Sequence, residues 1–198
     1  TALVAGTASG EAGKRPDSAS TTCPAGHFCP LAAPRAIPCP AGTYRPGVGG
    51  EKISDCSACP PGYSCPAGCT NGTLFPCAVG GFCEGGAATS SAGAAAFTAC
   101  PAGYYRTSSG GESVAGCALC TTGHYCPAGT VTPLDCGLGN WCSEGITKPR
   151  PCPIGTLNSD STTLSRQVDC APCTAGYYCN ASGMSNVSGP CTAGFFCS

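Results

Sequence analysis

The chain has too few apolar residues for an ordinary globular core and too few charges for an ordinary disordered segment. Leu, Ile, Val and Phe make up about an eighth of the 198 residues, below the usual range for a packed core. Disordered chains this poor in apolar residues carry a high net charge, whereas the formal net charge here is −1. This near-neutral balance gives no reason to expect nucleic acid as a partner.

Membrane and targeting signals are also missing. The sequence has no apolar run long enough to span a bilayer, so we expect no membrane span in this chain. It has neither an initiator Met nor a positively charged segment followed by an apolar one. We therefore expect a mature chain or a piece of a longer protein.

The residues of common catalytic and metal sites are scarce. The ten acidic residues are scattered, and no calcium or phosphate loop motif occurs. His27 and His124 occupy the same motif position with no carboxylate or nucleophile at matched spacing, which predicts turn residues. Zinc or redox chemistry at the Cys-x2-Cys pairs is disfavoured because the cysteines come in repeated units of six. We predict that the protein is not an enzyme and holds no cofactor or metal.

Cysteine is abundant instead. The 21 cysteines exceed a tenth of the chain, so we expect disulfides to replace the core in an oxidising compartment. Each loop of about 15 residues closed in this way contributes roughly 3 kcal/mol in the chain-entropy model. Three N-glycosylation sequons, at Asn71, Asn180 and Asn186, agree with an extracellular or cell-surface location.

One seven-residue segment, Cys-x2-Gly-x2-Cys, occurs seven times. Its copies begin at Cys23, Cys59, Cys77, Cys120, Cys136, Cys173 and Cys191. The fixed glycine predicts a positive φ or a close crossing of two chain segments. Six copies carry an aromatic residue just before the second cysteine. This predicts a ring packed on a disulfide, although a lateral docking surface for protein or sugar stays open.

A second segment alternates with the first: Cys-Pro-x-Gly, a long polar loop, then Cys-x2-Cys. Its copies begin at Cys39, Cys100 and Cys152 and complete a unit of six cysteines. A low-complexity insertion interrupts the first unit at 84–99. The predicted divisions are a flexible or docking N-terminal arm, a partial unit and three cysteine-rich repeats, at 1–22, 23–38, 39–99, 100–151 and 152–198.

This spacing resembles that of the ephrin-receptor-like cysteine-rich repeats. The residues that carry the likeness are Cys39-Pro-Ala-Gly-Thr-Tyr, Gly49-Gly50 and Cys56-Ser-Ala-Cys59-Pro-Pro-Gly-Tyr, with their two later copies. Such repeats are similar in style to the cysteine-rich modules of tumour-necrosis-factor receptors. The resemblance covers nearly the whole chain and implies small disulfide-rich repeats: an elongated rod of short two-stranded β-sheets and turns with little hydrophobic core.

The resemblance also implies a disulfide pairing, in which the first and second, third and fifth, and fourth and sixth cysteines of each unit bond. The implied pairs are Cys39–Cys56, Cys59–Cys77, Cys65–Cys83, Cys100–Cys117, Cys120–Cys136, Cys126–Cys142, Cys152–Cys170, Cys173–Cys191 and Cys179–Cys197.

This scheme leaves Cys23, Cys29 and Cys69 unassigned, and three interpretations stay open. Cys23 bonds Cys29 while Cys69 is free or capped; the array continues before the given N-terminus; or these cysteines bond or pack against another copy. A head-to-tail contact of the last kind does not close and builds a fibre.

Two functions fit these features. The first is a secreted, glycosylated structural protein, a self-associating subunit of an extracellular filament, coat or appendage, whose partners are copies of itself. The second is a spacer or ligand-binding segment of a receptor or adhesion ectodomain, whose partner is a protein ligand.

Overall fold

The structure, a computed structural model, describes residues 3–4, 7–8, 22–31, 33–86, 97–160 and 164–193. Regular structure within these residues is limited to two-residue strands and single turns of 3-10 helix, because glycine and proline interrupt every longer run. The strands are β1 Leu3–Val4, β2 Thr7–Ala8, β3 His27–Phe28, β4 Ile37–Pro38, β5 Thr43–Tyr44, β6 Ser57–Ala58, β7 Gly81–Phe82, β8 Thr98–Ala99, β9 Tyr104–Tyr105, β10 Ala118–Leu119, β11 His124–Tyr125, β12 Leu134–Asp135, β13 Asn140–Trp141, β14 Arg150–Pro151, β15 Thr156–Leu157, β16 Ala171–Pro172, β17 Tyr177–Tyr178 and β18 Gly189–Pro190. The 3-10 helices are Ile53–Asp55, Val114–Gly116 and Gln167–Asp169.

The strands pair in sequence order into nine two-stranded sheets, from β1 with β2 to β17 with β18. The eight pairs whose register is defined are all antiparallel. The predicted fold class, small disulfide-rich repeats of short two-stranded sheets and turns, is confirmed. The predicted N-terminal arm contains β1 and β2, which pair with each other, and its remaining residues before Thr22 lie outside the described ones.

From Cys23 onward the repeated element is one hairpin. A cysteine, two residues and a glycine form a turn, the first strand follows, and the second strand ends just before the next leading cysteine. Each hairpin is named here by its leading cysteine: Cys23, Cys39, Cys59, Cys77, Cys100, Cys120, Cys136, Cys152 or Cys173. The Cys59 hairpin has one bridge, between Tyr63 and Pro76, in place of a sheet.

The chain divides into two compact units. Unit 1 comprises Thr1–Thr98 and Ser108–Gly116, and unit 2 comprises Ala99–Thr107 and Cys117–Ser198. The six-cysteine boundaries proposed from the sequence stay a prediction.

Nine disulfides join described cysteines, and each lies within one hairpin. They are Cys23–Cys29, Cys39–Cys56, Cys59–Cys65, Cys77–Cys83, Cys100–Cys117, Cys120–Cys126, Cys136–Cys142, Cys152–Cys170 and Cys173–Cys179. Cys191 is disulfide-bonded as well, and Cys197 lies outside the described residues.

The long-loop pairs of the receptor-style scheme are present, but its other six pairs are wrong. Those expected pairs were Cys59–Cys77, Cys65–Cys83, Cys120–Cys136, Cys126–Cys142, Cys173–Cys191 and Cys179–Cys197. In each Cys-x5-Cys segment the two cysteines bond each other when both are described, because the glycine turn brings their Cα atoms to 5.8–6.0 Å, the separation a disulfide needs. A short loop of this kind contributes about 2.5 kcal/mol in the chain-entropy model, against about 3 kcal/mol for the longer loops.

The buried residues are mostly these cysteines. A ring commonly packs on the disulfide of the following hairpin: Phe28 contacts Cys39 and Cys56. Likewise Tyr125 packs against the cluster around Cys136. These rings fill the space between successive disulfides, which agrees with the structural interpretation at their positions. Tyr104, Tyr177 and Tyr178 are exposed, so the alternative of a docking surface stays open there.

Candidate functional site

The junction between successive hairpins is the feature that recurs throughout each unit. At the Cys39 hairpin, the amide of Gly42 donates to the Cys65 carbonyl at 2.9 Å, and the Gly42 carbonyl accepts from the Cys59 amide at 2.9 Å. Gly42 has a φ of 89°, which glycine adopts without strain. The glycine at the fourth motif position therefore donates its backbone amide to a carbonyl of the next hairpin.

A second glycine completes the junction from the opposite side. The Gly68 amide, in the Cys59 hairpin, donates to the Cys39 carbonyl at 2.8 Å. The same reciprocal pair of bonds recurs at other junctions: Gly26 to Arg45 with Gly49 to Cys23, Gly62 to Cys83 with Gly86 to Cys59, Gly103 to Cys126 with Gly129 to Cys100, Gly123 to Cys142 with Gly145 to Cys120, and Gly155 to Cys179 with Gly183 to Cys152.

Some junction glycines also bring two backbones into contact. A Cβ added to Gly103 would lie 2.5 Å from the Gly145 carbonyl oxygen, and one added to Gly62 would lie 2.9 Å from that of Gly110. Gly26 against Gly68 and Gly139 against Gly183 are closer still. Both explanations offered for the fixed glycine, positive φ and a close crossing, hold at these positions.

Chemically, the junction is a set of backbone donors and acceptors. At six junctions the earlier hairpin donates a glycine amide to the later one, and the carbonyl of its leading cysteine accepts from a glycine amide of the later one. The two faces differ, so the contact is heterologous and can be repeated without closing.

Asn158 holds one junction through its side chain as well as its backbone. Its Nδ2 donates to the Asn140 carbonyl at 2.7 Å, and its Oδ1 accepts from the Asp160 amide at 2.9 Å. Its backbone accepts from Gly139 and donates to the Met184 carbonyl, both at 2.9 Å. The side chain is 4% exposed, and sequence analysis did not single it out.

Arg45 occupies the corresponding position in the Cys39 hairpin. Its Nη1 donates to the Asp55 carbonyl at 3.1 Å and its Nη2 to the Val48 carbonyl at 3.0 Å, across the loop that the Cys39–Cys56 disulfide closes. Its buried Nε has no hydrogen-bond partner among the described residues. The guanidinium therefore stabilises this loop by joining two of its backbone carbonyls.

Two carboxylates order the polar loops. Asp55 Oδ2 accepts from the Glu51 amide at 2.8 Å and from the Lys52 amide at 3.2 Å, and these bonds hold the pKa of its carboxyl below the ordinary value. At Asp169, burial opposes ionisation, but the Ser165 hydroxyl and the Arg166 amide outweigh it and lower the pKa. Both carboxyls therefore fix a loop just before the cysteine that closes it.

Cys69 is the one free cysteine among the described residues, and it is 5% exposed. It packs with Cys59 and Cys65, and its thiol lies 3.2 Å from the Asn71 carbonyl oxygen. Because Cys23 bonds Cys29 within the chain, the described structure offers no exposed thiol for a covalent link between copies.

The two histidines lie in strands directly after the glycine turn. His27 Nδ1 is 3.0 Å from the Ala25 carbonyl oxygen, and His124 Nδ1 is 3.1 Å from that of Thr122. The prediction that the two histidines are turn residues is wrong, because both begin strands, and His124 Nε2 also lies 3.2 Å from Asp135 Oδ1. The signal for this pair is the register: the residue after the motif glycine faces the residue before the next leading cysteine.

A cation–π pair lies on the next hairpin. Arg150 faces Trp141 across the sheet, with its guanidinium carbon 5.4 Å from the ring centroid. Both this pair and His124–Asp135 are partly solvent-exposed cross-strand contacts, which typically contribute less than about 1 kcal/mol each.

The three sequons lie at exposed asparagines. Asn71 begins a turn in which its own Oδ1 accepts from the Thr73 amide and hydroxyl. Asn180 and Asn186 both lie in the loop between β17 and β18. The structure therefore places all three side chains at the surface and leaves their modification a prediction.

The described residues contain no helix long and apolar enough to cross a membrane. Nor do they contain a cluster of His, Cys, Asp or Glu that could hold a metal ion. The disulfides indicate that the chain folds in an oxidising environment.

Comparison with known proteins adds no family. No family model matches the chain, and no curated protein is significantly similar to it. Membership of the ephrin-receptor-like repeats stays a prediction.

Proposed function

We propose that this chain is a secreted, glycosylated structural protein that self-associates as a subunit of an extracellular filament, coat or appendage. The observation that carries the proposal is the repeated junction, in which a glycine amide of one hairpin donates to a backbone carbonyl of the next, and the carbonyl of its leading cysteine accepts from a glycine amide of the next.

The junction supports self-association because it uses only backbone amides and carbonyls, and the same pattern of bonds recurs at six junctions. A hairpin of one copy can offer a hairpin of another copy the same donors and acceptors, and a heterologous contact of this kind extends. The near absence of charge repulsion, at a net charge of −1, favours such stacking. With Cys23–Cys29 formed and Cys69 buried, the proposed contact is non-covalent.

The test uses the purified protein with its disulfides intact. Sedimentation velocity over a wide concentration range is expected to show assemblies that grow with concentration, and electron microscopy is expected to show ordered polymers. A species that stays monomeric throughout, with no polymer on the grid, contradicts the proposal.

The alternative is a spacer or ligand-binding segment of a receptor or adhesion ectodomain. It is favoured by the intramolecular Cys23–Cys29 bond, which leaves this cysteine pair with no covalent role between copies. A transmembrane or signalling domain encoded in the same gene, together with a monomeric chain, supports this function over the first.

A further inference from the structure

The sequons at Asn71 and Asn186 differ in the hydrogen-bond partner of their hydroxyl group. In a sequon the Ser or Thr two residues after the asparagine places its hydroxyl beside the amide that receives the sugar. The inference that follows rests on the proposed secretion and glycosylation of the chain, and it concerns the order of folding and modification.

At Asn71 the folded chain already has this arrangement. The Thr73 hydroxyl donates to Asn71 Oδ1 at 2.9 Å, and the Thr73 amide donates to the same oxygen at 3.0 Å. Asn71 is exposed, and no hydrogen bond among the described residues uses its Nδ2.

In the Asn186 sequon, the Ser188 hydroxyl bonds the asparagine of another sequon, Asn180. The Ser188 hydroxyl lies 2.7 Å from Asn180 Oδ1 and 3.2 Å from Met184 Sδ, both acceptors, and its oxygen accepts from the Asn180 backbone amide at 3.3 Å. The Ser188 amide donates to the Tyr178 carbonyl at 2.8 Å, directly before β18. Among the described residues, the one hydrogen-bond partner of Asn186 Nδ2 is the neighbouring Ser185 hydroxyl, at 3.5 Å.

The Cys173 hairpin fixes this arrangement. The Cys173–Cys179 disulfide closes its start, and the Gly183 amide donates to the Cys152 carbonyl of the preceding hairpin at 2.8 Å. Turning the Ser188 hydroxyl toward Asn186 therefore requires breaking its contacts with Asn180 and Met184.

We propose that folding sorts the sequons: Asn71 remains an acceptor for an oligosaccharide in the folded chain, whereas Asn186 is an acceptor only before the Cys173 hairpin closes. The donor class is an oligosaccharide linked to a lipid diphosphate. The Asn71 Nδ2 forms a bond to the anomeric carbon, and the bond from that carbon to the diphosphate oxygen breaks. The lipid diphosphate leaves with the electron pair, and a base of the transferase takes one amide proton.

The experiment compares folded and unfolded acceptors. Glycan-free protein with its disulfides intact, and a reduced and alkylated sample, are incubated with a purified single-subunit oligosaccharyltransferase and a lipid diphosphate oligosaccharide. Glycopeptide mass spectrometry follows each sequon over time. We expect Asn71 to be modified in both samples and Asn186 to be modified about tenfold more slowly in the folded one, because its hydroxyl must first leave a hydrogen bond.

The matched variant is Asn180→Ala combined with Met184→Leu, which removes both side-chain acceptors of the Ser188 hydroxyl and leaves the Asn186 sequon intact. With the Cys173–Cys179 bond confirmed by peptide mapping, the folded variant is expected to regain Asn186 modification about tenfold. An unchanged rate in this variant overturns the proposal.

Two further outcomes also overturn it: equal Asn186 rates in the folded and reduced samples, or Asn71 modification confined to the reduced one. If no sequon is modified even in the reduced sample, the glycoprotein part of the proposed function fails with it. Self-association is measured separately and stands or falls on sedimentation.

Discussion

Replacing Gly103 by alanine tests whether the close approach of two backbones, and not positive φ alone, makes the motif glycine necessary. Gly103 has a φ of 89°, and an added Cβ would lie 2.5 Å from the Gly145 carbonyl oxygen. Gly155 occupies the same motif position with a φ of 83°, but an added Cβ there has no atom within 4 Å. Both glycines make the same two backbone hydrogen bonds to following hairpins.

Both substitutions therefore force alanine into a left-handed conformation, but only Gly103→Ala also places a methyl group against another backbone. A left-handed conformation costs alanine about 1–2 kcal/mol at either position. At Gly103 the new methyl must also displace Gly145, whose amide bonds the Cys120 carbonyl, and overpacking of this kind adds about 1–3 kcal/mol. We expect a loss of about 1–2 kcal/mol for Gly155→Ala and about 2–5 kcal/mol for Gly103→Ala.

The measurement is denaturant unfolding with disulfides intact, followed by the fluorescence of Trp141, the single tryptophan. Both substitutions and the probe lie in unit 2, and an unchanged slope with denaturant keeps the comparison valid. Equal losses at the two positions refute the close-approach argument and leave positive φ as the only requirement.

Three further outcomes follow from individual side chains. Asn158→Ala is expected to lose about 2 kcal/mol of unfolding free energy by leaving buried groups unpaired, while Gln167→Ala on an exposed helix changes it by less than about 0.5 kcal/mol; equal midpoints for the two variants contradict this role. Asp55→Ala is expected to lose about 1 kcal/mol at neutral pH. Because the pKa of Asp55 is lowered by folding, the difference in unfolding free energy between the native protein and Asp55→Ala should vanish as pH falls through the folded pKa. A difference that persists in acid would contradict a stabilising role of the ionised carboxyl. Cys69 should react with a thiol reagent only on unfolding, since it is 5% exposed; rapid labelling of the native protein would show that this burial is wrong.

The features predicted correctly from the sequence are those that depend on residues close together in the chain. Positive φ at the motif glycine, rings packed on disulfides, and the Cys39–Cys56 type of loop each follow from residues a few positions apart. The nine two-stranded sheets among the described residues match the predicted fold class. These features needed no knowledge of which hairpin contacts which.

The pairing of the remaining cysteines failed because it was taken from a resemblance. A separation of six residues permits a local disulfide, as at Cys59–Cys65, and spacing alone does not rank it against a longer loop. The contact of His124 with Asp135 and the bridging position of Asn158 depend on strand register and on the stacking of hairpins. Both arise only once the turns have set which chain segments meet.

Because every disulfide between described cysteines closes within one hairpin, covalent cross-links do not span the junctions. Tension applied along the chain would therefore pull hairpins apart at their hydrogen bonds while each cysteine loop stays shut. The residues inside those loops cannot extend while the disulfides are intact, and each of them would add about 3.4 Å to the length of the extended chain. A reducing agent would release that hidden length, so the stretch of a single molecule under load would report the redox state of its surroundings.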